Sequence, residues 1–352
     1  MKEYPCDFYL VAGHCVGRVS LTMYLAALGL CPTTGIFWKD KPGRREQSLR
    51  EMARFRQEDA PYVGLTVDCL LTDPPDEKLL SWKVPVIWLV RDPVLLITSF
   101  LNLYNRESLI EAYFKGIPHP MVFDPARGCH NILNHPADLL YYHSLLRTVQ
   151  SPSSLRVVDT SETGPDQIVS TLTRITAGFG VPDIAARQEE LSLAHGSLRQ
   201  TLRVALPGLP LTRPGGGPPL EVCFYPASTT VRMAYFLGKN PTILDTIEAG
   251  EESFKIIVWD VEDEAEAAAV ALTPENREVM TKYLDEALVL SGFVEGLCRE
   301  KEFTPAQVAE TIRSDGPCRR RFRELWETEW SLVEHYAPGL TQTWEMARSV
   351  FS

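Results

Sequence analysis

Short apolar runs alternate with segments of helical spacing through the first half of the chain. Phe8-Tyr9-Leu10-Val11-Ala12 is apolar throughout, and Val84-Pro85-Val86-Ile87-Trp88-Leu89-Val90 nearly so. A strand apolar at every position is buried on both faces, as in a parallel sheet covered by helices. Pro85 belongs among the first residues of its strand, where a missing N–H is tolerated. Tyr62–Val67 and Leu155–Asp159 read as two more strands. Between them, Val19–Leu30, Ser48–Phe55, Val94–Asn105, Ala137–Gln150 and Gln167–Phe179 predict helices. This alternation predicts an α/β fold: a three-layer parallel sheet flanked by helices. Residues 115–137, with several Pro and His, read as an irregular loop.

The pattern changes near residue 200. Pro and Gly cluster at 207–210 and again at 214–219. Strand-like pieces follow at Leu220–Tyr225 and Phe254–Val261, and 274–352 reads as mostly helical and highly charged. The expected division is a nucleotide-binding domain over 1–200 and a C-terminal extension over 201–352. That extension is mixed at first and then mostly helical, and is expected on the acceptor side, packed on the first domain.

Composition narrows the function classes. A hydrophobic content of 45% with 23% charged residues belongs to an ordinary globular protein. A net charge of −11 argues against a general nucleic-acid binder, which needs a basic face, yet a few Arg residues suffice for one nucleotide. None of the eight Cys forms a C-x-x-C pair, so neither a zinc nor a redox motif is signalled. His119, His130, His135 and His143 lack tight ligand spacing, and no metal is expected. No run reaches membrane-spanning length and the opening residues do not read as a secretory signal. The expectation is a cytoplasmic protein with reduced thiols and no transmembrane segment.

Two segments carry candidate chemistry. The first is the turn Gly13-His14-Cys15-Val16-Gly17-Arg18-Val19-Ser20, between the first strand and the first helix. A glycine turn feeding a helix lets backbone N–H groups approach an anion, and the helix end adds partial positive charge. Arg18 and Ser20 are placed to add a charged and a hydroxyl donor. The spacing and Lys of a Walker A loop are absent. The second segment is Arg91-Asp92-Pro93 directly after the strongest strand, with Ser99 eight residues beyond Arg91. Ligands of open α/β sheets sit at such carboxyl ends.

Together these segments resemble the sulfotransferases that use 3′-phosphoadenosine 5′-phosphosulfate (PAPS). The likeness lies in Val86-Ile87-Trp88-Leu89-Val90-Arg91-Asp92-Pro93 with Ser99, in the strand–turn–helix opening, and in Ile168–Pro182 with its Gly-Val-Pro ending. It covers roughly residues 6–183. It implies a P-loop-type sulfotransferase fold. It also implies a 5′-phosphosulfate held by Gly13, Cys15, Val16, Gly17, Arg18, Val19 and Ser20, and a 3′-phosphate held by Arg91 and Ser99. Aligning Gly17 with the family's loop glycine puts Cys15 where the family has its catalytic Lys or Arg; Arg18 is the neighbouring residue that would take that role. His14 and Asp68 are candidates of similar weight for the base that removes the acceptor's proton, with Glu107 a third. The run Arg319-Arg320-Arg321 with Arg323 is loosely similar to the family's late basic segment, although a solvated basic face explains it as well. The function so implied is transfer of a sulfuryl group from PAPS to a hydroxyl or amine of a small molecule or glycan. The alternatives are a catalytically weak or inactive nucleotide-binding homologue, or another P-loop-type transferase.

Overall fold

The computed structural model describes residues 6–13, 15–33, 44–68, 81–115, 124–134, 140–189, 191, 208–213, 216–227, 241–259, 261 and 263–352. Among these the chain forms two compact units. The first comprises Met1–Asn105, Val122–His195 and Glu302–Ser352; the second comprises Arg106–Met121 and Gly196–Lys301.

The first unit is built on five parallel strands: β1 (Phe8–Ala12), β2 (Leu30–Pro32), β3 (Tyr62–Val67), β4 (Pro85–Val90) and β5 (Ser154–Asp159). Their order is β2-β3-β1-β4-β5, with every neighbouring pair parallel. Every residue of β1 is buried, and so is every residue of β4 after Pro85, as two-sided helical cover requires. Pro85 opens its strand, the position expected for it. The crossovers carry α1 (Arg18–Ala27), α2 (Arg44–Gln57), α3 (Pro93–Lys115), α4 (Pro125–Asn134) and α5 (Tyr142–Arg147), with α6 (Ile168–Thr176) after β5.

Several elements differ from the sequence reading, each for a local reason. The first helix stops at Ala27, because Gly29 turns left-handed at φ 82° and the chain re-enters the sheet as β2. The span read as a loop holds α4: Asp124 Oδ1 accepts the Ala126 N–H at 2.9 Å, with Pro125 as first helical residue. The helix read over Ala137–Gln150 is described only as α5, and α3 runs on past Asn105.

The second unit holds an antiparallel sheet of β6 (Leu209–Leu211), β7 (Leu220–Pro226), β8 (Pro241–Ala249) and β9 (Glu252–Trp259), ordered β6-β7-β9-β8. One face packs Val222, Phe224, Phe254, Ile256 and Val258 against α7 (Glu264–Ala271) and α8 (Pro274–Lys301). The sequence reading found β7 and β9 but neither β6 nor β8.

The last part of the chain returns to the first unit, whereas the sequence reading grouped all of 201–352 together. It contains α9 (Pro305–Ser314), α10 (Gly316–Leu325), α11 (Val333–Tyr336) and α12 (Glu345–Ser349). Its anchors are polar and directional. Trp330 donates its indole N–H to the Leu140 carbonyl at 2.8 Å, and buried Glu329 accepts the Ser144 N–H at 2.8 Å. Trp344 donates to Asp159 Oδ2 at 2.8 Å, and the Ala347 N–H reaches Asp92 Oδ2 at 3.1 Å. Among the described residues no helix is long and apolar enough to cross a membrane.

Candidate functional site

The strand order itself marks a position. From β1 the chain crosses over β3 to the far edge, at β2; from β4 it moves the opposite way, to β5. Neighbouring strands whose connections diverge leave a crevice at their carboxyl ends, the switch point where open α/β sheets take ligands. Here it lies between the ends of β1 and β4, which lead into the turn at 13–17 and into Arg91.

Gly17 has φ 82° and Cys15 φ 60°, so two residues of that turn lie in the left-handed region. Gly17 is the N-cap of α1 and no side chain caps it. The first N–H groups of a helix have no acceptor within it, and the helix end is partially positive. Gly13 and the Val16 side chain are buried, Cys15, Arg18 and Ser20 are half-buried, and Val19 is exposed. Val16 therefore offers a ligand only its backbone.

The two stretches singled out in the sequence meet here. Arg91 Nη1 donates to the Cys15 carbonyl at 2.8 Å, across a separation of 76 residues. The Arg91 carbonyl in turn accepts the Tyr142 hydroxyl at 2.7 Å. Arg18 Nη1 meets Asp68 Oδ2 at 2.5 Å, with side chains 12% and 0% exposed. Arg18 and Asp68, read from sequence as cation and base, are thus partners of one another at the ends of neighbouring elements. Ser99 is half-buried on α3. His14 lies outside the described residues, as do His119 and His135. Glu107 lies on α3, in the second unit.

Sequence reasoning missed a second layer. Thr160 follows β5, and its hydroxyl lies within hydrogen-bonding range of two carbonyls, those of Val16 and of Val90, the latter at 3.0 Å. Asp159 accepts the Ser161 N–H at 2.8 Å, while Glu162 Oε1 accepts the Asp159 N–H at 3.0 Å. This capping box was legible as Asp-x-x-Glu after a strand. Asp92 Oδ1 caps α3 through the Val94 N–H at 2.8 Å. Burial, the larger influence, pushes the Asp92 carboxyl above its ordinary value of 3.8, while N–H donors from Ala347, Val94, Leu95 and Met346 pull it down.

No family model matches the chain, and neither does any curated protein or solved structure. The site therefore rests on its own geometry.

The remaining candidates fall elsewhere. His130 is exposed on α4 beside Asn134, and His143 lies on α5 against the Tyr336 ring at 6.2 Å. Arg319, Arg320, Arg321 and Arg323 lie on α10, where Arg321 bonds the Leu133 carbonyl at 3.2 Å and Glu324 at 2.8 Å. By the ends of β1 and β4 stand an uncapped helix end, Arg18 paired with Asp68, and Arg91 bonded to the Cys15 carbonyl. Such a grouping favours an anion, and phosphate oxygens most of all.

Proposed function

We propose that this crevice binds PAPS and that the protein transfers the sulfuryl group to a hydroxyl or amine acceptor. The observation that carries the reading is the bond from Arg91 to the Cys15 carbonyl, because it joins the two separately recognised motif segments at the switch point of the sheet. The 5′-phosphosulfate would lie on the backbone N–H groups of 16–18 at the start of α1. The 3′-phosphate would lie toward Arg91 and Ser99 at the start of α3.

In the proposed reaction an acceptor oxygen or nitrogen attacks sulfur in line. The bond between sulfur and the bridging phosphate oxygen breaks, and adenosine 3′,5′-bisphosphate leaves with the electron pair. The acceptor's proton passes to a base, for which His14 and Asp68 are the candidates. Catalysis of this kind is positioning plus stabilisation of charge on the leaving oxygen. Arg18 is the cation proposed for that oxygen, oriented by Asp68. Were Asp68 to act as base, the Arg18 bond on its Oδ2 would lower its basicity.

Cys15 favours a second reading, a homologue that binds the nucleotide and transfers slowly or not at all. Its position is the one the resembling family fills with Lys or Arg, and its carbonyl is held by Arg91. One experiment addresses both readings. Adenosine 3′,5′-bisphosphate at about 100 times its Kd should stabilise the fold by roughly 2.7 kcal/mol, and ATP with Mg²⁺ should not. Transfer of labelled sulfate from PAPS to mixed acceptors then separates enzyme from binder. Equal stabilisation by ATP–Mg²⁺ would move the site to another class of P-loop-type transferase.

A further inference from the structure

We propose that Thr160 is the positioning residue that sets the anion-binding turn, with its hydroxyl as the working group. This inference rests on the reading that the turn receives a phosphate group. Two carbonyls of the turn are held from behind: that of Cys15 by Arg91 and that of Val16 by Thr160. The described peptide bonds are all trans. In a planar trans peptide the carbonyl of one residue and the N–H of the next point in opposite directions. Holding the Cys15 carbonyl toward Arg91 therefore aims the Val16 N–H away from Arg91. Holding the Val16 carbonyl toward Thr160 aims the Gly17 N–H away from Thr160.

The Thr160 hydroxyl faces the Val90 carbonyl too, at 3.0 Å. The turn after β1, the end of β4 and the residue after β5 thereby meet at one oxygen atom. A hydroxyl has one hydrogen to donate. The Val16 carbonyl is the nearer of the two and the one that receives it. The Thr160 methyl has a separate place: a Cβ on Gly17 would lie 2.8 Å from Thr160 Cγ2. The methyl thus backs the turn where only glycine fits, and the hydroxyl orients the peptide next to it.

Thr160→Val keeps the shape and removes the hydroxyl; Thr160→Ser keeps the hydroxyl and removes the methyl. Amide hydrogen exchange over the peptide 15–21 should rise at least tenfold in Thr160→Val and stay within about twofold of wild type in Thr160→Ser. The Kd for adenosine 3′,5′-bisphosphate should weaken at least tenfold in the Val variant and stay near wild type in the Ser variant. Unchanged exchange in Thr160→Val overturns the inference. Equal loosening in both variants also overturns it, because packing rather than the hydroxyl would then hold the turn. If Thr160→Val does not fold, the Ser variant decides alone, since loosening there contradicts the assignment. Should wild type fail to bind the bisphosphate, the nucleotide reading fails, and the exchange data still judge Thr160.

Discussion

Removing Arg18 takes the charged partner of Oδ2 away from Asp68, a wholly buried carboxylate. Breaking a buried pair in this way costs about 3–5 kcal/mol. Arg18→Ala is therefore expected to lose stability of that order in urea denaturation, and Arg18→Ala combined with Asp68→Asn to recover a good part of it. A single variant indistinguishable from wild type would mean that the pair does not persist in solution. The control matters for the functional reading, because lost activity in Arg18→Ala must be separated from lost fold. Gly17 makes a second residue-level prediction. At φ 82° an L side chain is strained by about 1–2 kcal/mol, and the 2.8 Å approach to Thr160 Cγ2 adds overlap. Gly17→Ala should lower the melting temperature and weaken any anion at the turn; full stability and full binding together would contradict the description of the turn. The residues of this inner layer were legible because they stand next to apolar strands at 8–12 and 84–90. Thr160 was not, since its bonds span 144 and 70 positions of sequence.

The elements that carry these residues are tied together by two carboxylates. Asp92 joins the end of β4 to the start of α3 and to α12; Asp159 joins β5 to Trp344. Trp344→Phe keeps the ring and removes the indole donor, leaving Asp159 Oδ2 without that bond. A loss of roughly 1–3 kcal/mol is expected by denaturation. Asp92 gives a prediction with a definite sign. Its carboxyl is raised above 3.8 in the folded protein, so between 3.8 and the raised value the native state holds more protons than the unfolded state. Stability from this group then falls as pH rises through that window. The stability of wild type minus that of Asp92→Asn should decline with rising pH, as measured by urea melts across the window; an increase would contradict the assignment. Element identity was easiest to read where both faces are buried: β1, β3 and β4 are near-continuous buried runs. β2 is three residues long and merges with the helical pattern before it. In β8 the alternation is broken by a register shift between Ile243 and Asp245, which hides its period of two.

At the scale of the whole molecule, a chain of net charge −11 gathers Arg18 and Arg91 at one sheet edge. That local arrangement, rather than overall charge, makes an anionic ligand reasonable. The α/β class followed from the alternation of strands and helices. The strand order did not, because it depends on which strands pair, and pairing is set by long-range packing. Nor was the return of Glu302–Ser352 to the first unit legible, since it rests on buried packing and on bonds between residues far apart in sequence, such as Trp344 to Asp159. The most direct test of the account is a crystal structure of the protein soaked with adenosine 3′,5′-bisphosphate. The account predicts the 5′-phosphate on the N–H groups of residues 16–18 and the 3′-phosphate within hydrogen-bonding distance of Arg91 or Ser99. Bisphosphate bound away from the ends of β1 and β4, or none bound at saturating concentration, would contradict it.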